Sequence, residues 1–208
     1  MARMRVVART RGVLARDANP QSASQPEALP WVLYDTQAWT TAVTTTQTYF
    51  TTVQNDKTLG NMEGPGQLPD PQYFEVHYIG CDFLLTPNFL AAAAATGPAN
   101  DILAFLFAQR GTWEFNISNK RVGPFPLSFL HASGGATGYV STNSATTGKF
   151  EVANNGVFDG GFCVGGAILI PPKVSFDITV RTAAAPVLQT SPLNVRVWMA
   201  GALYRRVL

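Results

Sequence analysis

The residues best suited to catalysis are the two histidines of the chain, His77 and His131. His131 lies between Ser128 and Ser133, so a serine–histidine pair could form there. No acidic residue is close to it in the sequence, and the chain contains no Gly-x-Ser-x-Gly motif. His77 alternates with apolar residues in a strand-like run and is expected on the solvent side of that strand. The sequence therefore predicts a protein that is not an enzyme.

Metal and cofactor sites are not predicted either. The two histidines and two cysteines are scattered, with no C-x-x-C, H-x-x-x-H or H-x-H spacing. Residues 154–159 only weakly resemble a calcium loop, and a turn explains them better. The glycine-rich run 134–138 lacks the Lys-Ser/Thr that follows a phosphate-binding loop, so it predicts a flexible loop. Cys81 and Cys163 are too few for a disulfide framework; we expect reduced thiols, and the redox compartment stays open.

Basic residues are concentrated at the N-terminus. The first 16 residues hold five arginines and no acid, a charge of +5, whereas residues 17–208 hold ten basic and 13 acidic residues, a net −3. Such an arm can bind nucleic-acid phosphates or anionic lipid headgroups. Two alternatives remain open: a solvated tail without a role, or a clamp between subunits made by the intervening Val and Leu residues. The predicted contact residues are Arg3, Arg5, Arg9, Arg11 and Arg16.

The rest of the chain is poor in charge. Charged residues make up 13% of the sequence, against roughly 25% in globular proteins, while 46% are hydrophobic. A soluble protein with so few charges is expected to have much of its surface covered by a partner. The longest apolar stretch, residues 88–107, is interrupted by Gly97, Pro98 and Asp101, so no transmembrane helix is predicted. The composition favours a single domain that assembles.

Turn residues and alternating apolar residues predict an all-β domain. Residues 1–30 are interpreted as the basic arm and a Pro/Ser linker, and residues 31–208 as one domain. A short helical insertion is expected around residues 88–110, and residues 123–138 are expected to be irregular. About eight strands with long connections indicate a jelly-roll β-sandwich or barrel. The predicted strands are 31–35, 40–53, 73–85, 112–118, 149–153, 162–170, 174–182 and 193–207.

Three phenylalanines stand among glycines and prolines in presumed loops. Phe125, Phe129 and Phe162 are therefore candidate subunit contacts, because loop aromatics in a charge-poor protein can anchor an interface. Packing beneath the loops is the alternative explanation.

Several stretches resemble segments of jelly-roll capsid proteins from tailless icosahedral bacteriophages and similar small icosahedral viruses. The stretches are GQLPDPQYFEVHYIGCDFLL, NDILAFLFAQRGTWEFNI and GPFPLSFLHASGG, and the resemblance in layout extends over about residues 31–208. It implies a coat subunit that is made in the host cytoplasm and resides in the virion. Its implied partners are copies of itself in a homo-oligomeric shell, other capsid proteins, and viral nucleic acid or an internal membrane bound through the arm.

A second interpretation belongs to another class of protein. A β-sandwich binding module, such as a viral spike or a carbohydrate-binding domain, would use exposed Trp and Tyr side chains to stack on sugars. A third, an enzyme on a cupin-like barrel, is disfavoured because the chain has no histidine cluster.

Overall fold

The computed structural model is all-β and describes residues 26–40, 45–84, 105, 110–130, 136–137, 153–154, 162–186 and 192–206. Eight of its strands form two four-stranded antiparallel sheets, and two further strands of two residues each form a separate pair. The strands are β1 (Pro26–Trp39), β2 (Thr46–Tyr49), β3 (Tyr73–Leu84), β4 (Thr112–Ile117), β5 (Lys120–Pro126), β6 (Ala136–Thr137), β7 (Ala153–Asn154), β8 (Phe162–Ile170), β9 (Phe176–Arg181) and β10 (Leu193–Arg206).

The strand pairing is nested. β1 pairs with β10, β2 with β9, β3 with β8, and β4 with β5, all antiparallel. Two more pairings, β10 with β3 and β9 with β4, complete the sheets. The first sheet (sheet A) thus has the order β1-β10-β3-β8, and the second (sheet B) the order β2-β9-β4-β5. Residues far apart in the sequence become neighbours in both sheets.

The core lies between the sheets and is made by alternate residues of their strands. In β10 the side chains of Leu193, Val195, Val197 and Met199 are buried, and the residues between them are more exposed. Successive side chains of a strand point to opposite faces, so this alternation assigns one face of the sheet to the core. β9 contributes to the same core in the same way, through Phe176, Ile178 and Val180.

A β-bulge in β3 changes which of its residues face the core. The register with both neighbouring strands shifts between Val76 and Tyr78, which leaves His77 as an extra residue. Phe74 and Val76 are buried before the bulge, and Ile79 and Cys81 after it. Simple alternation predicted Tyr78 on the face of Phe74 and Val76; that prediction is wrong, because the extra residue reverses the two faces.

The edge strands differ most from their predicted bounds. β1 begins at Pro26, inside the segment interpreted as linker, and β5 occupies part of the segment 123–138 that was expected to be irregular. Both strands lie at sheet edges and pair on one side only. Proline is tolerated there because its missing N–H need not face a partner strand. The prolines that suggested linker and loop are therefore compatible with edge strands.

Two further elements depart from the predictions. The threonine-rich stretch 40–53 forms only the short strand β2, which ends before Phe50, where the backbone takes the left-handed conformation at φ 70°. The predicted helical insertion at residues 88–110 is not seen, and nearly all of it lies outside the described residues. In the described part of the chain the only regular helix is a single 3₁₀ turn, Leu127–Phe129.

Candidate functional site

Two of the three candidate contact phenylalanines belong to a cluster of aromatic rings. Phe125 in β5 and Phe162 at the start of β8 both pack against Trp113 of β4, with ring centroids 5.1 Å apart in each case. The Phe125 and Phe162 rings are 4.8 Å apart. Both residues are partly buried against the core and lie in strands rather than in the loops that sequence spacing suggested. They join sheet B to sheet A, so packing inside the subunit accounts for much of their surface.

Phe129 differs from the other two candidates because its side chain is largely exposed. It lies in the 3₁₀ turn after β5 and is 56% exposed. Three other large apolar residues are similarly exposed in different parts of the described structure: Trp31 in β1 (44%), Val53 after β2 (40%) and Leu169 in β8 (44%). Separate exposed apolar anchors of this kind can serve contacts with more than one neighbour.

Several candidate residues lie outside the described residues. They include His131 and the glycine run 134–138, and in the basic arm Arg3, Arg5, Arg9, Arg11 and Arg16. Cys81 is a buried, reduced thiol in β3. Cys163 pairs through its backbone with Tyr78.

His77 does not stand alone on its strand. Its Nε2 lies 3.2 Å from Oε1 of Glu75, and the Tyr204 hydroxyl donates a hydrogen bond to Oε2 of the same carboxylate at 2.7 Å. Glu75 is buried, whereas His77 is partly exposed, so the carboxylate joins a surface imidazole to a phenol on β10. The sequence places Glu75 and His77 on one side of β3 but gives no sign of Tyr204, which comes 129 residues after Glu75. Within the described residues, no three His, Cys, Asp or Glu side chains are grouped as a metal site would require.

A second polar cluster lies on the outward face of sheet B. The buried Glu114 of β4 forms ion pairs with Arg121 of β5 and Arg181 of β9. Both arginines are about half exposed, so each retains contact with water. The shared carboxylate holds two cations at fixed positions across three strands, which makes this face of the sheet rigid and polar.

The clearest concave feature is a cleft between the β1–β10 pair and the loop that precedes β3. Its apolar wall is formed by Leu29, Trp31, Leu33, Met62, Leu68 and Leu203. Polar side chains also line it, including Glu63, Gln67, Gln72 and Arg205. Sequence analysis missed this site, because its residues come from three separate segments and share no motif. The one available signal was an isolated tryptophan, Trp31, at the start of the predicted domain.

The similarity searches and the helix content add two short findings. Comparison of the chain with protein-family models, curated proteins and solved structures gives no match. In the part of the chain that the structure describes, no helix is long and apolar enough to cross a membrane.

Proposed function

We propose that the chain is a coat subunit whose jelly-roll domain assembles with copies of itself into an icosahedral virion shell. The nested strand pairing carries this proposal. In a jelly roll the chain acts as one long antiparallel hairpin, with the first strand beside the last and the two middle strands adjacent, rolled into two sheets. The pairs β1–β10, β2–β9, β3–β8 and β4–β5 have that order. Viral capsid domains, lectins and cupins all use this architecture.

Composition favours a coat protein within that group. With 13% charged residues, the chain has about half the charge with which soluble proteins usually cover their surfaces. Phe129, Trp31, Val53 and Leu169 add large apolar side chains to the described surface. A cupin-type enzyme holds its metal through several histidines, and two histidines at positions 77 and 131 are too few for such a cluster. A shell subunit explains both the low charge and the apolar surface, because its neighbours cover them.

The sheet edges indicate how subunits would meet. At the edge of β1, Asn61 takes up backbone groups through its amide, donating to the Val32 carbonyl at 2.7 Å and accepting from the Tyr34 N–H at 2.9 Å. At the edge of sheet B, β5 carries Lys120 and Arg121 together with two prolines. Blocked or charged edges oppose strand addition by another chain. We therefore expect subunits to associate through loops and sheet faces rather than through continuous sheets.

The basic arm gives the proposed subunit a second kind of contact. The arm precedes β1, which begins at Pro26 and pairs along its whole length with β10. Its five arginines suit phosphate groups, of the genome or of an internal membrane, and such binding weakens steeply as salt rises. Apolar contacts made by the domain should change little with salt. Salt dependence therefore separates the contribution of the arm from that of the domain.

The experiment is to purify the full chain and image it by negative-stain electron microscopy at low and high salt. Two variants accompany it: deletion of residues 2–16, and a charge-neutral arm in which all five arginines are replaced by Gln. The second variant keeps the apolar residues of the arm, so it distinguishes a phosphate-binding arm from an apolar clamp. Nucleic-acid and anionic-vesicle binding are measured on the same three proteins.

We expect closed particles of uniform size from the full chain. Both arm variants should lose most binding to nucleic acid or vesicles, and the deletion should leave the β-fold unchanged by circular dichroism. If the Gln variant assembles normally and the deletion does not, the arm is an apolar clamp. A full chain that stays monomeric or forms a small oligomer at every salt and protein concentration contradicts the coat function.

A further inference from the structure

The cleft beside Trp31 has a size that fits a small organic ligand. Water centres can occupy about 90 Å³ of it. A single water needs roughly 10–15 Å³ of such space and occupies about 30 Å³ of liquid, so the cleft holds the equivalent of at least about six waters. That is room for one six-membered ring with its substituents. Trp31, at 44% exposure, presents much of its indole to the ligand.

The loop that forms one wall of the cleft is held in place by backbone hydrogen bonds. The Gly66 N–H donates to the Phe50 carbonyl at 2.6 Å, and the Phe176 N–H donates to the Gly66 carbonyl at 2.8 Å. A further bond joins the Lys173 N–H to the Leu68 carbonyl at 3.0 Å. Leu68 itself is buried. The wall is therefore preorganised, and little loop ordering is needed when a ligand binds.

The polar groups around the cleft select the chemistry of that ligand. Gln67 and Gln72 each offer an amide, which can donate and accept hydrogen bonds. Glu63 and Arg205 carry opposite charges, and Arg205 donates to Glu27 at 3.1 Å. An anion would be repelled by Glu63, and a cation would be repelled by Arg205. A neutral ligand whose groups both donate and accept hydrogen bonds fits this rim best, and hydroxyl groups have that property.

We infer that this cleft binds one neutral sugar residue of a glycan, with the apolar face of the ring stacked on Trp31 and its hydroxyls bonded to Gln67, Gln72 and Glu63. Aromatic side chains offer an apolar surface to the C–H face of a sugar, and the aliphatic side chains behind Trp31 exclude water from that face. The inference goes beyond shell assembly and does not depend on it, because every residue of the cleft belongs to one subunit.

The test measures binding of neutral sugars to the full chain by saturation-transfer NMR and calorimetry. The probes are methyl glycosides of glucose, galactose, mannose and N-acetylglucosamine, together with their oligosaccharides, and sialic acid is included as an anionic comparison. Trp31→Ala should weaken binding about tenfold or more, whereas Trp31→Phe, which keeps an aromatic face, should retain most of it. Trp198→Phe, in β10 outside the cleft lining, is the control and should bind as the wild type does.

Three results would overturn the inference. The first is no binding of any neutral probe by the full chain. The second is binding that Trp31→Ala leaves unchanged although its thermal unfolding matches the wild type. The third is binding that appears only after residues 2–16 are deleted, which would assign the cleft to the arm. Shell assembly is measured separately, so failure of this inference and failure of the coat function are distinguishable.

Discussion

The Asp35 carboxylate accepts a hydrogen bond from the backbone N–H of Phe50 at 2.7 Å in the interior of the protein. Three more donors share this carboxylate: the Thr36 N–H at 2.9 Å, the Gln54 amide at 3.0 Å and the Gln37 amide at 3.1 Å. Phe50 is buried and has a left-handed backbone conformation. Asp35 therefore fixes the turn after β2 against β1, and this turn leads into the loop that carries the cleft.

We expect Asp35→Asn to lower the free energy of unfolding by about 2–4 kcal/mol, because an amide nitrogen would face donors at one of the two oxygen positions. Chemical denaturation measures the change. Asp70→Asn is the matched control: Asp70 is exposed and pairs with Lys173 at 3.1 Å, so its loss should change stability by less than about 0.5 kcal/mol. Equal effects of the two substitutions would contradict this role of Asp35.

A second buried polar contact joins two aromatic residues of the core. The Trp39 indole N–H donates to the Tyr49 hydroxyl at 3.0 Å. Tyr49→Phe leaves that N–H buried without its acceptor, and we expect a loss of about 1–3 kcal/mol. Tyr34→Phe removes an exposed bond to the Lys57 carbonyl, which water can replace, so it should have a smaller effect. In the double variant Trp39→Phe/Tyr49→Phe, the loss should be less than the sum of the two single losses.

Tyr49 also predicts how stability responds to alkaline pH. Burial raises the pKa of Tyr49 above its ordinary value of 10.0, although the hydrogen bond from Trp39 opposes the shift. The folded protein keeps this proton where the unfolded chain loses it. The resulting stability is fully present below about pH 10 and is lost as pH rises further. Unfolding measured from about pH 8 to about pH 11 should fall more steeply in the wild type than in Tyr49→Phe; parallel curves would contradict the prediction.

Asn61→Ala should expose the edge of β1. The substitution removes the two side-chain bonds to Val32 and Tyr34 and leaves only the bond from the Asn61 backbone N–H to the Tyr34 carbonyl. We expect a loss of about 1–2 kcal/mol and faster aggregation, since open strand edges recruit other chains. Gln67→Ala, in the same loop but exposed, is the control for stability and aggregation. Aggregation no faster than in this control would show that Asn61 does not guard the edge.

Asp82 and Asp56 are expected to respond to pH with opposite signs. Burial raises the pKa of Asp82, and its partner Arg196, 3.6 Å away, only partly opposes this. Ionised Asp82 therefore destabilises the folded state at neutral pH, and Asp82→Asn should be more stable by about 0.5 kcal/mol or less after solvent screening. That advantage disappears as pH falls toward the unfolded pKa of 3.8.

Asp56 is the control, because hydrogen bonds from Thr58 lower its pKa. Its contribution to stability is present above the unfolded pKa and is lost as pH falls through the folded one. Asp56→Asn should therefore be less stable than the wild type at neutral pH and should approach it in acid. The same sign for both variants would contradict this assignment of the shifts.

Local patterns predicted the central strands well and the edges poorly. β3, β4, β8, β9 and β10 follow from alternating apolar residues, because their cores depend on side-chain period alone. Prolines concealed β1 and β5, whose edge positions only the sheet order reveals. The bulge at His77 is a property of pairing, so alternation could not find it. The Asp35 carboxylate and the cleft each depend on contacts between segments that are distant in sequence, and no spacing rule encodes such contacts.

The central claim is that this chain assembles into a shell, and sedimentation velocity of the full chain over a wide concentration range tests it most directly. We predict a narrow boundary from particles far larger than the 22.4 kDa subunit, growing at the expense of subunit as concentration rises. Broad contacts between apolar surfaces should keep those particles intact at high salt. A single species of monomer or dimer size at every concentration and salt would contradict the account.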